Sequence, residues 1–281
     1  MNSPVLSVLP SKRGLYTRSG DDDIFFYVGK FSFLTAGEIA TLSKRNVISL
    51  RKRLRQLTAA GFLGRAEGGE QREEFFQEVK CENCRYINKL PISDGRIAPK
   101  PFFYWLTEKG GPKASHLLTN PIVWTSKKPS RLDHDRVITM IHLALDRAFR
   151  DLSWLQQKQD VKLTVPLGRE TVSFYPDAHT FLNDKSVWIE YANSEPSSKD
   201  GVTDIVKKVI HYNPMMKHAD GKVLFIFREK SMVMNFLNRI AADFPFLWIF
   251  ATDIESIKHN PKGKIFWTPK DFDTSVHSLI E

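Results

Sequence analysis

The sequence predicts a two-domain α/β protein: a small helical domain with a β-hairpin, then a larger domain built on a mixed sheet. Three observations predict it. The length of 281 residues suits two domains of ordinary size. A run of chain breakers, Gly110-Gly111-Pro112, Pro121 and Lys127-Lys128-Pro129, separates two regions of different pattern. Beyond it, Val223–Phe227 and Leu247–Ala251 are continuous apolar runs, as expected of central strands covered on both faces. The expected boundaries are a flexible arm over residues 1–20, a first domain over 21–118 and a second over 130–281.

In the first domain, Asp21, Asp22 and Asp23 precede an apolar segment. Carboxylates favour the positive end of a helix dipole, so a helix is expected over Ile24–Leu34. Thr35 with Glu38 has the spacing of a capping box and opens a second helix. The segment Asn46–Ala60 places Val47, Leu50, Leu54 and Leu57 on one face, and Gly61 ends it. Strand-forming residues follow from Phe62 through Glu73–Lys80 to Phe102–Leu106, with Gly68, Gly69, Pro91, Gly95 and Pro99 breaking the loop between them. Three helices and a β-wing describe a winged helix-turn-helix.

The second domain reads as a helix over Leu132–Leu152 and strands near 159–166, 170–180 and 186–192. A helix over 200–213, a strand over 222–228, a helix over 231–242 and a strand over 247–252 complete it. The result is an α/β domain with a mixed sheet.

Composition narrows the function classes. The charge balance of 41 Lys and Arg against 32 Asp and Glu gives a formal net charge of +9, which favours a polyanionic partner, nucleic acid before membrane. Two cysteines, Cys81 and Cys84, make no disulfide framework and fit a reducing cytoplasm. No apolar run reaches the length of a membrane span, and the first residues lack the pattern of a secretory signal. Neither a phosphate-binding Gly-Lys loop nor a Gly-x-Ser-x-Gly elbow occurs, which argues against ATP use and serine hydrolysis. The Cys-x-x-Cys pair is half a zinc site, and two ordinary loop thiols are the expectation.

Two groups of residues carry chemistry. On the third helix, Arg45, Ser49, Lys52 and Gln56 lie opposite the apolar stripe, flanked by Arg51, Arg53 and Arg55. A cationic, hydrogen-bonding face of this kind suits docking in the major groove of double-stranded DNA. The second group is Asp177 and Glu190, on segments that pair as neighbouring strands across the turn Asn183-Asp184-Lys185. Two carboxylates at the rim of a sheet can hold Mg²⁺ or Mn²⁺, which polarises a phosphodiester. The alternative is two acids engaged in hydrogen bonds near a turn. His134 and His142 are expected in core or capping roles, and Tyr212 in the core or lining the cleft.

Pro176-Asp177-Ala178, followed by Ile189-Glu190-Tyr191 on the next strand and a lysine-bearing helix, resembles the PD-(D/E)xK restriction-endonuclease-like fold. That family usually carries a lysine two residues after the second acid, where this chain has Ala192. In some members the lysine moves to the following helix, and Lys207 and Lys208 are offered there. Over roughly 24–252 the chain resembles the replication-relaxation family and the MOBC-type relaxases, which join a winged helix to a restriction-endonuclease-like domain. Tyr104-Trp105-Leu106-Thr107-Glu108-Lys109-Gly110, Leu132-Asp133-His134-Asp135 and Lys208 with Tyr212 carry the wider resemblance. It implies metal-dependent nicking at an origin of transfer during plasmid mobilization. Asp177, Glu190 and Lys208 (or Lys207) would be catalytic, and Asp177 and Glu190 would hold Mg²⁺ or Mn²⁺. Other mobilization or replication proteins would be partners. The alternative is a non-catalytic regulator of transcription or replication on a degenerate nuclease fold, a role that Ala192 keeps open.

Overall fold

The structure is a computed structural model that describes residues 17–67, 102–118, 132–149, 152–156, 162–168, 170–192, 199–216, 221–270 and 275–279. The expected arm, the loop holding Glu73–Lys80, Cys81 and Cys84, and the linker lie outside the described residues, apart from residues 17–20. The chain divides into two compact units, Met1–Ser130 and Arg131–Glu281. It is mixed helix and sheet.

In the first unit a single 3₁₀ turn, Ser19–Asp21, leads into α1 (Asp22–Phe31), which buries Ile24, Phe25, Val28 and Phe31. The helix stops before the expected Leu34, because Ser32 and Phe33 both turn left-handed (φ 56° and 39°). Leu34–Thr35 forms the short strand β1. Thr35 then caps α2 (Ala36–Leu42). Its Oγ1 accepts from the Glu38 amide at 3.1 Å, and the Glu38 carboxylate accepts from the Thr35 amide at 2.8 Å. Both donors would otherwise be orphaned, and both side chains are buried. Thr35→Ala is expected to cost about 1 kcal/mol in a thermal or urea melt.

The strongest helix of the unit is α3 (Val47–Ala59). Asn46 Oδ1 accepts from the Ile48 and Ser49 amides at 2.9 and 3.2 Å, and Gly61, at φ 79°, takes the left-handed position past its end. Leu50, Leu54 and Leu57 are fully buried, while Val47 is half-buried. Strands β2 (Leu63–Glu67) and β3 (Phe102–Leu106) pair antiparallel, and β1 pairs with the other edge of β3. A Cβ on Gly64 would lie 2.2 Å from the Trp105 indole, so only glycine lets that ring lie flat on β2. The break at Gly110-Gly111-Pro112 is instead the start of a short helix, α4 (Gly111–Ser115), because proline suits a first helical turn. Ala114 of α4 packs so tightly on α1 that a Cβ on Gly29 would meet it at 2.9 Å.

The second unit opens with α5 (Leu132–Phe149). A five-stranded sheet has the order β10-β9-β8-β7-β4, formed by β4 (Trp154–Gln156), β7 (Ala178–Leu182), β8 (Lys185–Ala192), β9 (Gly221–Phe227) and β10 (Ile249–Asp253). β8, β9 and β10 run parallel, and β4, β7 and β8 pair antiparallel. Helices α6 (Lys199–Met216) and α7 (Lys230–Ile240) cover the face of Val223, Phe225 and Phe227. Leu224 and Ile226 are equally buried on the other face, where α5 lies against β8 and α8 (Ile254–His259). That double cover is why these strands read as unbroken apolar runs.

The expected single strand over 170–180 is two strands. β5 (Leu163–Leu167) and β6 (Glu170–Phe174) form their own two-stranded ribbon, and the chain leaves it at Tyr175-Pro176-Asp177 before entering the main sheet as β7. Pro176 has no amide to give to a ladder, so the strand ends there. Between β7 and β8 the chain reverses through Asn183 and Asp184, both left-handed at φ 49° and 63°, the geometry of a tight hairpin turn that matches strand twist.

Candidate functional site

The hairpin sets the register of the acids. β7 and β8 pair Ala178 with Ile189, so Asp177 enters the sheet beside the middle of β8. Along β8, Trp188, Glu190 and Ala192 share the face covered by α6, while Ile189 and Tyr191 share the face covered by α5. Glu190 and Asp177 are both buried, 2% and 3% exposed.

Four other groups meet them. The Tyr191 amide donates to Asp177 Oδ2 at 2.9 Å. His134, in the first turn of α5, brings Nε2 to 3.3 Å from Asp177 Oδ1, with its ring against that of Tyr191. Lys208 and Tyr212 stand one turn apart on α6, and both end on Glu190: the Tyr212 hydroxyl donates to Oε1 at 2.8 Å and the Lys208 ammonium pairs with Oε2. Lys208, about a third exposed, is the charged group of the cluster that reaches solvent.

The electrostatics set the acids apart. Burial raises Asp177, but the His134 contact, the Lys208 charge and the Tyr191 amide outweigh it and hold the carboxyl below its ordinary value. Burial dominates at Glu190, and with the nearby Asp177 charge it pushes the carboxyl to about 7 despite Lys208 and Tyr212. Tyr212 is raised well above its ordinary value by burial and by the acid it serves. One carboxylate is therefore held ionised and the other is poised near neutrality. Environments that drive neighbouring carboxyls to different protonation states are characteristic of acid–base sites.

The fold brings Asp177, Glu190 and Lys208 together. Lys207 is exposed, a step round the helix toward His211, and does not face Glu190. Ala192 lies on the Glu190 face of β8, and the lysine that pairs with Glu190 is Lys208 on α6. Tyr212 is fully buried and hydrogen-bonded to Glu190, so it is both core and cluster. His134 was expected in the core or at a cap and is a member of the cluster. Its only sequence signal is its place in Leu132-Asp133-His134-Asp135 at the head of the helix. Among the described residues, no group of three or more His, Cys, Asp or Glu is arranged to hold a metal ion. The Asp177–Glu190 pair offers hard oxygen donors, and Mg²⁺ is commonly held by two carboxylates with water completing its shell. An ion there needs Lys208 to leave Glu190 Oε2, which its partial exposure allows.

The cationic helix is only partly as expected. Ser49, Arg51, Lys52 and Arg55 are exposed, with Ile48 at 67% exposure in the middle of their face. Arg53 is not on that face. It is buried, and its guanidinium forks onto Asp21, Nε to Oδ1 at 2.8 Å and Nη2 to Oδ2 at 2.5 Å. Its angle on the helix falls beside the apolar stripe, and the acid at the head of α1 takes it inward. Gln56 is half-buried and accepts from Arg53 Nη1 at 3.0 Å, and Arg45 donates to the Gly20 carbonyl at 2.6 Å.

No family model matches the chain, and no curated protein matches it significantly. The crystal structure of protein VC1899 from Vibrio cholerae is similar over 88% of this chain, at 14% identity and a TM-score of 0.35. The chain spans 56% of that protein's length. Among the described residues no helix is long and apolar enough to cross a membrane.

Proposed function

We propose that the chain is a DNA-binding protein that nicks DNA with a divalent metal, a relaxase of a plasmid or other mobile element. The observation that carries this reading is the convergence of Asp177, Glu190 and Lys208 from a strand entry, a strand and a helix onto one buried cluster. Leaving out the separate β5–β6 ribbon that intervenes between β4 and β7, the main-sheet order helix, three antiparallel strands, helix, parallel strand (α5, β4, β7, β8, α6, β9) supports a restriction-endonuclease-like unit, and three helices with an antiparallel β2–β3 pair support a winged helix-turn-helix.

Asp177 and Glu190 would hold Mg²⁺ or Mn²⁺, which when bound polarises the scissile phosphodiester and makes a nucleophile available. The protein's own groups do the rest. The Tyr191 amide and His134 fix the Asp177 carboxylate, and the Tyr212 hydroxyl fixes one oxygen of Glu190. Lys208, once off Glu190, offers its charge to the phosphate as negative charge builds there. The exposed face of α3 would seat in a groove, with Lys52 and Ser49 toward base edges or phosphates and Ile48 available for apolar contact with a thymine methyl.

The test is purified protein on supercoiled DNA carrying the element's transfer region, with and without Mn²⁺. Open-circular product that depends on Mn²⁺ is expected. DNA binding without metal binding or nicking would instead mark a regulator built on the same fold, the second reading. That reading is favoured by the fact that protein groups already engage each oxygen of Glu190.

A further inference from the structure

Helix α3 packs on β2, and three exposed arginines of these two elements carry charge that is felt at Tyr104. Arg51 and Arg55 stand one turn apart on the edge of α3's exposed face nearest the apolar stripe, and the Arg55 Nε donates to the Arg51 carbonyl at 3.4 Å. Lys52 and Ser49 lie round the other side of that face. Arg65, on β2, is the cross-strand partner of Tyr104 on β3, so the two side chains share a face of the hairpin. The Arg65 guanidinium lies 4.8 Å from the centre of the Phe102 ring, two residues along the same strand and 38% exposed.

Tyr104 is 4% exposed, yet its hydroxyl accepts a hydrogen bond from Arg65, and the charges of Arg65, Arg51 and Arg55 all favour its ionised form. Burial keeps that hydroxyl above its ordinary value in spite of them. The Tyr104 hydrogen bond and the Phe102 ring hold Arg65, but neither offsets the repulsion among three positive charges. Two arginines from a helix and one from a strand, all exposed, with a stacked ring fixing the third, make a concentrated positive site with forked donors. A tetrahedral oxyanion meets both needs, neutralising the charge and filling the forks.

We propose that Arg51, Arg55 and Arg65, centred on Tyr104, form one composite site for a backbone phosphate of duplex DNA, clamping helix and hairpin to the same point of the strand. The proposal rests on the DNA-binding reading above and divides the labour of α3. Arg51 and Arg55 hold the backbone, and the Ile48–Ser49–Lys52 side faces the groove. Phosphate contacts position a protein without carrying sequence information, so losses at this site are the same on every duplex.

The test measures binding of the full chain to a random-sequence 25-base-pair duplex (about 25, enough for two helical turns) by fluorescence anisotropy across a salt series. Arg55→Gln and Arg65→Gln are each expected to weaken binding on the order of tenfold and to reduce the salt slope by about one. Because they serve one phosphate, the double variant should lose about as much as either single, with the slope reduced by about one rather than two. Lys52→Gln combined with Arg65→Gln should instead be additive. All three side chains are exposed, and unchanged thermal melts will show that the fold is intact. Additive losses for Arg55→Gln and Arg65→Gln overturn the composite site while leaving DNA binding standing. So does unchanged affinity in Arg65→Gln. A wild type that binds no duplex at low salt overturns the DNA reading and the clamp together.

Discussion

Glu190→Gln is expected to lower nicking of supercoiled DNA by about a hundredfold or more while duplex binding is kept. Glutamine keeps the shape and can still accept from Tyr212, but it carries no charge for a cation. Mn²⁺ should raise the melting temperature of the wild type and not of the variant, through binding to the folded state alone; at a hundred times its dissociation constant an ion contributes about 2.7 kcal/mol. The variant should also fold well. Wild-type Glu190 is pushed to about 7, so the buried site already tolerates its neutral form. Lys208→Ala should lose nicking as well, yet retain metal binding, because it removes the competitor for Glu190 Oε2 along with the charge at the phosphate. Nicking that persists undiminished in Glu190→Gln would sink the site assignment.

Arg53→Ala is expected to destabilise the first unit by about 3 kcal/mol, the usual consequence of removing one member of a buried ion pair and leaving the other charge unanswered. Its neighbour Lys52→Ala should do the opposite, leaving the melt within about 0.5 kcal/mol and weakening DNA binding about tenfold. The pair also sets an acid limit. Burial raises the Asp21 carboxyl, but the hydrogen bond from Arg53, the Arg18 amide and the charges of Arg53 and Arg45 hold it below its ordinary 3.8. Such a group stabilises the fold fully above its unfolded value, and the contribution fades as the pH falls through the folded one. A urea midpoint that drops below about pH 4 in the wild type and much less in Asp21→Asn checks this. Equal acid sensitivity of the two would deny the bridge its role.

The contrast between Lys52 and Arg53 shows what the sequence makes legible. α3 is readable because its signals are local: an Asn46 cap, leucines at helical spacing and a glycine past the end. Arg53 is misjudged from sequence because its fate depends on Asp21, more than thirty residues earlier, which as sequence reads as a dipole partner for α1. The same limit governs the site. Asp177 and Glu190 are legible from their places on neighbouring strands. His134 is not, because only the packing of α5 brings it to Asp177. The choice of Lys208 over Lys207 turns on the helical phase of α6 against the sheet, which a run of two lysines leaves open. The break between β6 and β7 is available in Pro176, whose missing amide outweighs the strand-forming residues around it.

The tight turn at Asn183-Asp184 has a consequence for the order of assembly. Hairpins of this kind close within microseconds because their contacts are adjacent in the chain. The parallel pairing of β8 with β9 must wait for a helical crossover to be laid down and docked. The two acids are thus brought level with each other early, while still in water, where a charged carboxylate costs little. Dehydration of Glu190 comes with the arrival of α6, and the same event delivers Lys208 and Tyr212. The chain never has to bury that carboxylate alone, because the segment that shuts out water also carries its partners.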